Sequence, residues 1–478
     1  MELDNRLIKI VPSGRQVKFQ MLEFYAFVHF TVNTFTDKEW GDGTESPSVF
    51  APMKLDAEQW VNAVKSAGMR GLILTCKHHD GFCLWDTKST GHNVMNSPYG
   101  KDIVREVSDA CKKGGIAFGV YLSPWDRNCP LYGTGREYDD FFVGQLDELL
   151  TNYGEVFSVW FDGACGEGPN GKKQYYDWER YYAEIRRLQS GACISVCGPD
   201  VRWCGNEAGH TRKSEWSVVP LRTRNSEMIA EKSQHEDDEM FRQRRVDARD
   251  EDLGSRRALE NEPELIWYPA EVNTSIRPGW FWHESENGKV RSLEELVDIY
   301  IRSVGGNATF LLNIPPTRDG LIHENDAARL GELGDFLRCA FAENLVPQAQ
   351  LLCESELPDR GIENVIEDSY DGFYMPNSSN ADIQIRLPRT EKLGYLVIKE
   401  NILKSQRIED HAVDVMKDGC FREVFRGTTV GYKRIVPLGG IETDCVRIRI
   451  NDSRTAPAIS FIGIYRSAEN AGKSISRP

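Results

Sequence analysis

The sequence Val156-Phe157-Ser158-Val159-Trp160-Phe161-Asp162-Gly163 decides how the rest of the chain is interpreted. β-Forming and aromatic residues lead into one aspartate and one glycine, which is typical of a buried strand that ends where the chain leaves a sheet. An enzyme can hold a nucleophilic carboxylate at such a point. Asp-Gly also marks ordinary turns, so this stretch alone leaves Asp162 as either a catalytic residue or a turn residue.

Similar strand-helix units lie on both sides of this stretch. Four further β-forming runs begin at Phe24, Gly71, Ile116 and Ala192. Apolar residues at helical spacing predict helices over residues 55–67, 102–113, 138–150 and 175–188. The units repeat at intervals of roughly 40 residues, which predicts parallel strands joined by right-handed crossovers.

From about residue 222 to residue 264 the chain is charged and irregular, with dense charge runs at Gln234 to Glu239 and Arg242 to Arg245. We interpret this segment as a solvated insertion or a helical lid. Apolar order resumes at Leu265 to Tyr268. Beyond it the pattern predicts a helix over residues 293–304, a strand over 307–314 and a helix over 325–340.

About eight such units across roughly 330 residues predict a (β/α)8-type barrel with insertions. A doubly wound sheet fits less well because no Gly-x-Gly-x-x-Gly motif follows the first strand. The remaining chain predicts a β-sandwich with short strands over residues 381–387, 393–398, 413–416, 428–436 and 445–450. The predicted domains are a (β/α)8-like catalytic domain over residues 1–342 and a C-terminal β-sandwich domain over residues 343–478.

The charge balance narrows the class of partner. The 58 basic and 73 acidic residues give a net charge of −15, which disfavours nucleic acid and anionic membranes and favours a neutral or cationic substrate. The 12 cysteines show no Cys-x-x-Cys pair or zinc spacing, so we expect free thiols and neither metal nor cofactor. No apolar run suits a transmembrane helix and no secretory signal is visible, so we expect a cytoplasmic or a processed exported protein of unknown oligomeric state.

Residues whose side chains can take part in catalysis or bind a ligand follow the predicted strands. In a (β/α)8 barrel the active site lies at the C-terminal ends of the strands, so residues directly after each apolar run are expected to meet at one rim. These residues are His29, His78, His79, Tyr121, Trp125, Asp162, Glu207, Glu271 and Asn313. We place Glu207 a short loop beyond the fifth strand and Glu271 after a later one.

Two carboxylates with different pKa values are the minimum for glycoside hydrolysis, while His, Tyr and Trp supply contacts for a sugar ring. Asp162 is the candidate nucleophile. The proton donor is either Glu207 or Glu271, because a glutamate in a loop among aromatic and small residues can be desolvated and thereby acquire a raised pKa. Spacing alone leaves that choice open.

Four motifs together resemble the α-L-fucosidases of glycoside hydrolase family 29. They are His29-Phe30-Thr31, Lys77-His78-His79-Asp80-Gly81-Phe82, Trp160-Phe161-Asp162-Gly163 and Trp203-Cys204-Gly205-Asn206-Glu207. The resemblance implies a fucosylated oligosaccharide as substrate and Asp162 as the nucleophile of a retaining double displacement. It also implies that His29, His78 and His79 bind fucose hydroxyls, with further sugar contacts from Glu39, Trp40 and Tyr121.

The segments Gly205-Asn206-Glu207 and Ser275 to His283 are similar to the subfamily that cleaves α-1,3/1,4-linked fucose from branched, Lewis-type glycans. This similarity implies Glu207 as the acid/base and Trp280 or Trp282 as the residue that closes the fucose pocket. A broad-specificity α-L-fucosidase is the alternative. The C-terminal segment resembles the β-sandwich of these enzymes, which either binds sugar or packs against the barrel.

Two other classes remain as alternatives. One is a metal-dependent hydrolase with His29, His78, His79 and Asp162 as ligands, although adjacent histidines on an extended chain point to opposite sides and rarely reach one metal. The other is a non-catalytic glycan-binding protein on a degenerate barrel.

Overall fold

The computed structural model of the protein describes residues 2–238, 242 and 251–467. The remainder of the predicted insertion, residues 239–241 and 243–250, lies outside the described residues. Eight parallel strands form a nearly closed barrel: β1 Phe24–Val28, β2 Gly71–Lys77, β3 Ala117–Leu122, β4 Ser158–Phe161, β5 Cys193–Val196, β6 Arg202–Trp203, β9 Ala270–Ser275 and β10 Ala308–Asn313.

The barrel strands follow one another in chain order around the sheet. β10 pairs in parallel with β1, and β6 pairs in parallel with β9. Between β5 and β6 the sheet is joined by a parallel bridge from Ser195 to Val201, with a hydrogen bond of 3.0 Å from Val196 N to Val201 O. The predicted (β/α)8-type barrel is confirmed.

The helices begin and end at local signals. Their bounds are α1 Glu2–Leu7, α2 Gly14–Leu22, α3 Val32–Thr36, α4 Ala57–Ser66, α5 Ile103–Gly114, α6 Arg136–Asn152, α7 Trp178–Leu188, α8 Ser226–Lys232, α9 Arg256–Leu259, α10 Leu293–Ser303 and α11 Glu324–Ala340. In α5, Asp102 caps the first turn by accepting from Arg105 N, and Gly115 ends the helix at a φ of 70°. None of the described helices is both long and apolar enough to cross a membrane.

Two features of the barrel depart from a regular alternation of strands and helices. β6 follows β5 after a tight turn without an intervening helix, and its two residues are too few to give a periodic signal. The apolar run at Leu265 forms β8 Leu265–Trp267, which pairs antiparallel with β7 Val218–Pro220 outside the barrel. That run is apolar because Trp267 and Val218 pack in a separate cluster with Ile402 and Tyr432 of the C-terminal domain.

The C-terminal domain is one antiparallel sheet built on two long, bent strands. Its strands are β11 Gln350–Cys353, β12 Ala381–Glu400, β13 Ile408–Lys417, β14 Cys420–Gly427, β15 Arg434–Ser453 and β16 Ile459–Arg466. β11 flanks the first half of β12 and β16 flanks the second half, on either side of a register shift between Arg386 and Glu391. The two halves surround one apolar core, as expected for the predicted β-sandwich.

Some predicted strands of this domain are corrected. The predicted strands over 381–387 and 393–398 are halves of β12, because the exposed polar residues between them lie at the register shift rather than in a turn. The predicted strand over 428–436 is mostly the connection between β14 and β15. The domain boundary at residues 342 and 343 stays a prediction. All 12 cysteines are free thiols.

A buried ionic cluster joins the two parts of the chain. Glu23, directly before β1, accepts hydrogen bonds from Tyr432 Oη at 2.7 Å and Lys433 Nζ at 2.8 Å. Lys399 Nζ lies 3.7 Å from the same carboxylate. Burial alone would raise the pKa of Glu23, but the charges of Lys433 and Lys399 outweigh it and lower that pKa to about 2.

Candidate active site

A cavity opens at the C-terminal ends of the barrel strands. It is lined by Phe27, His29, Trp40, His78, His79, Trp160, Asp162, Ala164, Glu207, Gln234, Asn273 and Trp280. Seven of the residues singled out from the sequence therefore share one cavity: His29, Trp40, His78, His79, Asp162, Glu207 and Trp280.

Asp162 follows β4 and is held by hydrogen bonds on both carboxylate oxygens. Oδ1 accepts from Ala164 N at 2.8 Å, and Oδ2 accepts from Tyr121 Oη at 3.0 Å. Burial raises the pKa of Asp162 above its ordinary value, and these two hydrogen bonds oppose that rise. The side chain keeps 22% of its surface exposed. Asp162 therefore makes a local turn contact and also faces the cavity.

Gly163 completes the Asp-Gly pair for a steric reason. A Cβ at this position would lie 2.2 Å from Ser233 Oγ, far inside the contact distance of real atoms. Ser233 directly follows α8, so the absence of a side chain at Gly163 lets the segment after α8 approach Asp162. This approach places Gln234 at the cavity.

Glu207 was placed a short loop beyond the fifth strand, and that connection contains β6, so Glu207 lies on the loop after β6. Its Oε2 accepts a hydrogen bond of 2.9 Å from Trp280 Nε1. Burial raises the pKa of Glu207 to about 7, and the charge of Asp162 adds to that rise, while the Trp280 hydrogen bond and Arg242 oppose it. Glu207 therefore titrates near neutral pH, as a proton donor in hydrolysis requires.

His29 is neutral and fixed in one tautomer. Its Nδ1 lies 2.8 Å from Asn313 Oδ1, and the Asn313 amide nitrogen donates to Ser275 Oγ and to Trp280 O. The amide oxygen is thus the acceptor, so His29 Nδ1 carries the proton and Nε2 has the free lone pair. Burial lowers the pKa of His29 to about 4.

His79 has a similar arrangement beside the nucleophile candidate. Ser123 Oγ donates to Trp125 O, so the 2.7 Å contact to His79 Nδ1 requires a proton on that ring nitrogen. Burial lowers the pKa of His79 to about 3. Its Nε2 lies 3.9 Å from Asp162 Oδ2 and is a hydrogen-bond acceptor in the neutral ring.

The side chains of His78 and His79 do not point to opposite sides, contrary to the sequence expectation. Their ring centroids are 4.1 Å apart, because the chain has already left the extended conformation of β2, which ends at Lys77. Burial lowers the pKa of His78 well below its ordinary value. Within the described part of the chain, no three His, Cys, Asp or Glu side chains are arranged to hold a metal ion.

Glu39 and Trp282 lie next to the cavity without lining it. Glu39 accepts from the backbone nitrogens of Trp280 at 2.8 Å and Phe281 at 3.1 Å, and His283 Nε2 lies 2.8 Å from its Oε1. These contacts hold the loop that carries Trp280. Trp282 is 7% exposed and donates from Nε1 to Asn287 Oδ1 at 3.2 Å, so its ring packs behind that loop.

Glu271 does not follow a strand as the sequence interpretation proposed. It is the second residue of β9 and lies inside the barrel, where it accepts from Tyr25 Oη at 2.6 Å and Trp160 Nε1 at 2.7 Å. Burial raises its pKa to about 7. Asn273 lies two residues further along the same face and lines the cavity, so Glu271 is about 6–7 Å deeper.

Several functional candidates were missed from the sequence. Asn273 accepts from Trp203 Nε1 at 3.0 Å and lines the cavity; the period of two along β9 is the signal that identifies it. Phe281 packs edge-on against His29 and His78, with centroids 5.4 and 5.1 Å away. Gln234 comes from the insertion interpreted as solvated, and no local pattern distinguishes it.

The sequence of this chain is similar to the sequences of known proteins. The family model described as α-L-fucosidase matches residues 15–340. α-L-Fucosidase 1 of Arabidopsis thaliana is 38% identical over 468 residues, which cover 95% of this chain and 87% of the relative.

Solved structures of other proteins are similar to this one over most of its length. A Bacteroides ovatus protein provisionally identified as an α-L-fucosidase superimposes with a TM-score of 0.84 at 43% identity, covering 98% of this chain and 76% of the other. A Ruminococcus gnavus family 29 fucosidase in complex with fucose gives a TM-score of 0.83 at 29% identity, covering 97% and 96% of the two chains.

Proposed function

We infer the function from the family to which this chain belongs, the α-L-fucosidases of glycoside hydrolase family 29. We propose that the protein removes α-1,3/1,4-linked fucose from branched, Lewis-type glycans, and that it does so by a retaining double displacement. The observation that carries the proposal is the presence of two different carboxyl groups in one cavity. Asp162 is held by hydrogen bonds that favour its ionised form, and Glu207 has a pKa of about 7.

In the first step, Asp162 is the nucleophile. One of its oxygens forms a bond to the anomeric carbon of fucose while the bond from that carbon to the glycosidic oxygen breaks. Glu207 gives its proton to the departing oxygen, so the leaving saccharide departs as an alcohol. The product of this step is a covalent fucosyl ester of Asp162.

In the second step, Glu207 acts as a base. The negative charge of Asp162 is one cause of the raised pKa of Glu207, and ester formation removes that charge. The pKa of Glu207 therefore falls, and its carboxylate takes a proton from a water molecule. The water oxygen attacks the anomeric carbon, which frees Asp162 and releases fucose with its original anomeric configuration.

The histidines suit the recognition of neutral hydroxyl groups. His29 and His79 are held neutral with their Nδ1 protons engaged, which leaves both Nε2 atoms as acceptors for fucose hydroxyls. We assign His78 and Trp40 to the same pocket and Trp280 to its wall. Tyr121 is fully buried and does not line the cavity, so we assign it an indirect role through its hydrogen bond to Asp162. Glu39 is proposed to act indirectly, through the backbone of Trp280 and Phe281.

The linkage class is supported by sequence motifs. Gly205-Asn206-Glu207 and the segment from Ser275 to His283 are similar to the α-1,3/1,4 subfamily, and the Trp280 to Glu207 hydrogen bond joins these two segments. The direct test compares fucose release from a Lewis trisaccharide with release from an unbranched, 1,2-linked trisaccharide. We expect release from the first substrate only. Comparable release from both would identify a broad-specificity enzyme.

Variants test the residue roles. Asp162→Ala should lower turnover by at least about 10³-fold without unfolding the protein. Glu207→Ala should lose activity on the trisaccharide. Azide should partly restore turnover of an activated aryl fucoside, because that leaving group needs no proton and azide attacks the fucosyl ester of Asp162 without a base. Full activity of Glu207→Ala on the trisaccharide would contradict its assignment. If the wild-type protein binds fucosylated glycans but hydrolyses none of them, it is instead a glycan-binding protein.

A further inference from the structure

Glu207 lies on a long loop that has no regular structure of its own. From Cys204 to Ser217 the chain forms neither helix nor strand, so side-chain contacts must fix the position of the loop. That position matters because a proton donor has to lie within hydrogen-bond reach of the leaving oxygen. A misplacement of about 1 Å can lower the rate about 10²-fold.

A buried carboxylate, that of Glu215, holds both ends of this loop. At the outgoing end, Arg202 of β6 donates from Nη2 to Glu215 Oε2 at 2.9 Å. At the returning end, the backbone nitrogen of Arg212 donates to Glu215 Oε1 at 3.0 Å, and Arg212 Nη1 lies 3.4 Å from the same oxygen. Arg212 Nη1 also donates to Cys204 O at 3.2 Å. Arg212 therefore joins the two ends of the loop that carries Glu207.

Burial makes these ionic contacts difficult to replace. The Glu215 side chain is fully buried, and the side chains of Arg202 and Arg212 are only 6% and 8% exposed. Arg212 Nη2 also lies 3.1 Å from the half-exposed Glu251. Burial alone would raise the pKa of Glu215, but the charges of Arg202 and Arg212 outweigh it and lower that pKa below its ordinary value. The carboxylate therefore stays ionised at neutral pH and keeps both arginines in place.

The C-terminal domain holds the segment that carries Glu215. Asn307, directly before β10, donates from Nδ2 to Glu215 O at 2.6 Å and accepts a hydrogen bond from Tyr432 N at 2.7 Å. Gln406 accepts from Ser217 N at 2.9 Å. Tyr432 and Gln406 belong to the C-terminal domain, so this segment is fixed between that domain and the barrel.

We propose that Glu215 and Arg212 are positioning residues for the acid Glu207, and that the C-terminal domain supports proton transfer by holding Glu215. Neither Glu215 nor Arg212 lines the catalytic cavity, so both act through the loop and not on the substrate. The alternative is that these contacts only join the two domains. The inference rests on the proposed acid role of Glu207 and does not depend on the linkage class.

Two aryl fucosides with leaving groups of similar shape separate these alternatives. The leaving oxygen of phenyl fucoside needs a proton, whereas that of a chloronitrophenyl fucoside leaves as a stable phenolate. For each substrate kcat/KM reports the steps up to formation of the fucosyl ester. The leaving-group ratio is defined as kcat/KM for phenyl fucoside divided by kcat/KM for the chloronitrophenyl fucoside. Measured on one enzyme preparation, this ratio is independent of the fraction of folded protein, so loss of stability alone does not change it.

Glu215→Gln and Arg212→Met are the test variants. Each should lower the leaving-group ratio at least about tenfold, because a displaced Glu207 protonates the phenyl oxygen poorly. Arg212→Met keeps the inference testable if Glu215→Gln does not fold. Gln406→Ala should lower the ratio in the same direction by about threefold, since it removes one support of the Glu215 segment. Glu207→Ala gives the ratio that complete loss of the acid produces.

Asp414→Asn is the matched control. Asp414 is also a buried carboxylate held by two arginines, since Arg447 Nη2 and Arg449 Nε each lie 2.7 Å from its Oδ2. It lies on β13, away from the loop that carries Glu207. Its leaving-group ratio should stay within about twofold of the wild-type value.

The outcomes separate the inference from the proposed function. If Glu207→Ala lowers the leaving-group ratio while Glu215→Gln and Arg212→Met keep it, the inference fails and the acid role of Glu207 stands. An equal fall in Asp414→Asn also overturns the inference, and an unchanged ratio in Gln406→Ala overturns the part assigned to the C-terminal domain. If Glu207→Ala keeps the wild-type ratio, or if the wild-type enzyme cleaves neither fucoside, the proposed function fails and the inference fails with it.

Discussion

Replacing Trp280 with phenylalanine should move the alkaline limit of activity to higher pH. The substitution removes the indole N–H that donates to Glu207 Oε2 at 2.9 Å but keeps an aromatic ring beside His29, whose centroid lies 5.2 Å away. That hydrogen bond stabilises the ionised form of Glu207 and lowers its pKa. Without it, Glu207 keeps its proton to a higher pH.

The expected rise in the pKa of Glu207 follows from the strength of one hydrogen bond to a charged group. Such a bond contributes about 1.5–3 kcal/mol, and one pKa unit corresponds to about 1.4 kcal/mol. Glu207 is only partly buried, so water replaces part of the lost bond and we expect the lower end, a rise of about one pH unit.

The assay is the pH dependence of kcat/KM on a Lewis trisaccharide, whose leaving group needs the proton of Glu207. In the wild-type enzyme activity should fall as pH rises through about 7, the pKa of Glu207, because the proton donor is lost. In Trp280→Phe this fall should occur about one pH unit higher. Trp282→Phe is the matched control, since it removes an indole hydrogen bond to Asn287 and not to Glu207. An unchanged or lower alkaline limit in Trp280→Phe would refute the reasoning, as would an equal shift in the control.

Three further predictions address stability, the rejected acid and the metal alternative. Glu23→Gln should lower the free energy of unfolding at pH 7 by about 3 kcal/mol, since it leaves the buried Lys433 without its carboxylate and leaves Lys399 paired with Asp368 alone. Because Glu23 has a folded pKa of about 2 and an ordinary value of 4.5, the difference from wild type in denaturant titrations should shrink as pH falls from 4.5 towards 2. Glu271→Gln should lose less than about tenfold in kcat on a Lewis trisaccharide and show no azide rescue on an aryl fucoside, because its amide oxygen can accept from Trp160 while its amide nitrogen donates to Tyr25 Oη; a loss as large as that of Glu207→Ala would reinstate Glu271 as the acid. Exhaustive chelation should leave kcat unchanged, and a loss that zinc reverses would support the metal-dependent hydrolase.

The barrel could be predicted because its signals are local. The first five strands are continuous β-forming runs, and helix ends such as Asp102 and Gly115 lie within a few residues of the backbone groups that they satisfy. β6 could not be predicted in the same way, since its strand of two residues is defined only by pairing with β9. In the C-terminal domain, only the pairing of β12 with β15 shows that its two halves form one strand.

The cavity was predictable where its residues follow strands and unpredictable where distant segments meet. His29, His79 and Asp162 each lie directly after a recognisable strand or within two residues of it. Glu271 was misplaced because Pro269 resembles a break before a loop, whereas β9 begins at the next residue. Gln234 follows Ser233, whose close approach to Gly163 joins segments about 70 residues apart, and no local sequence pattern reveals that contact.

The covalent role of Asp162 is the central claim, and trapping the intermediate tests it most directly. A 2-deoxy-2-fluoro-fucosyl donor with an activated leaving group forms the ester of Asp162, but its fluorine slows hydrolysis of that ester. The labelled enzyme can therefore be digested, and the masses of its peptides can be measured by mass spectrometry. The account predicts one fucosyl adduct per chain, on the peptide that contains Asp162, and no adduct in Asp162→Ala. An adduct on another carboxylate, or turnover of the donor with inversion and no adduct, would contradict it.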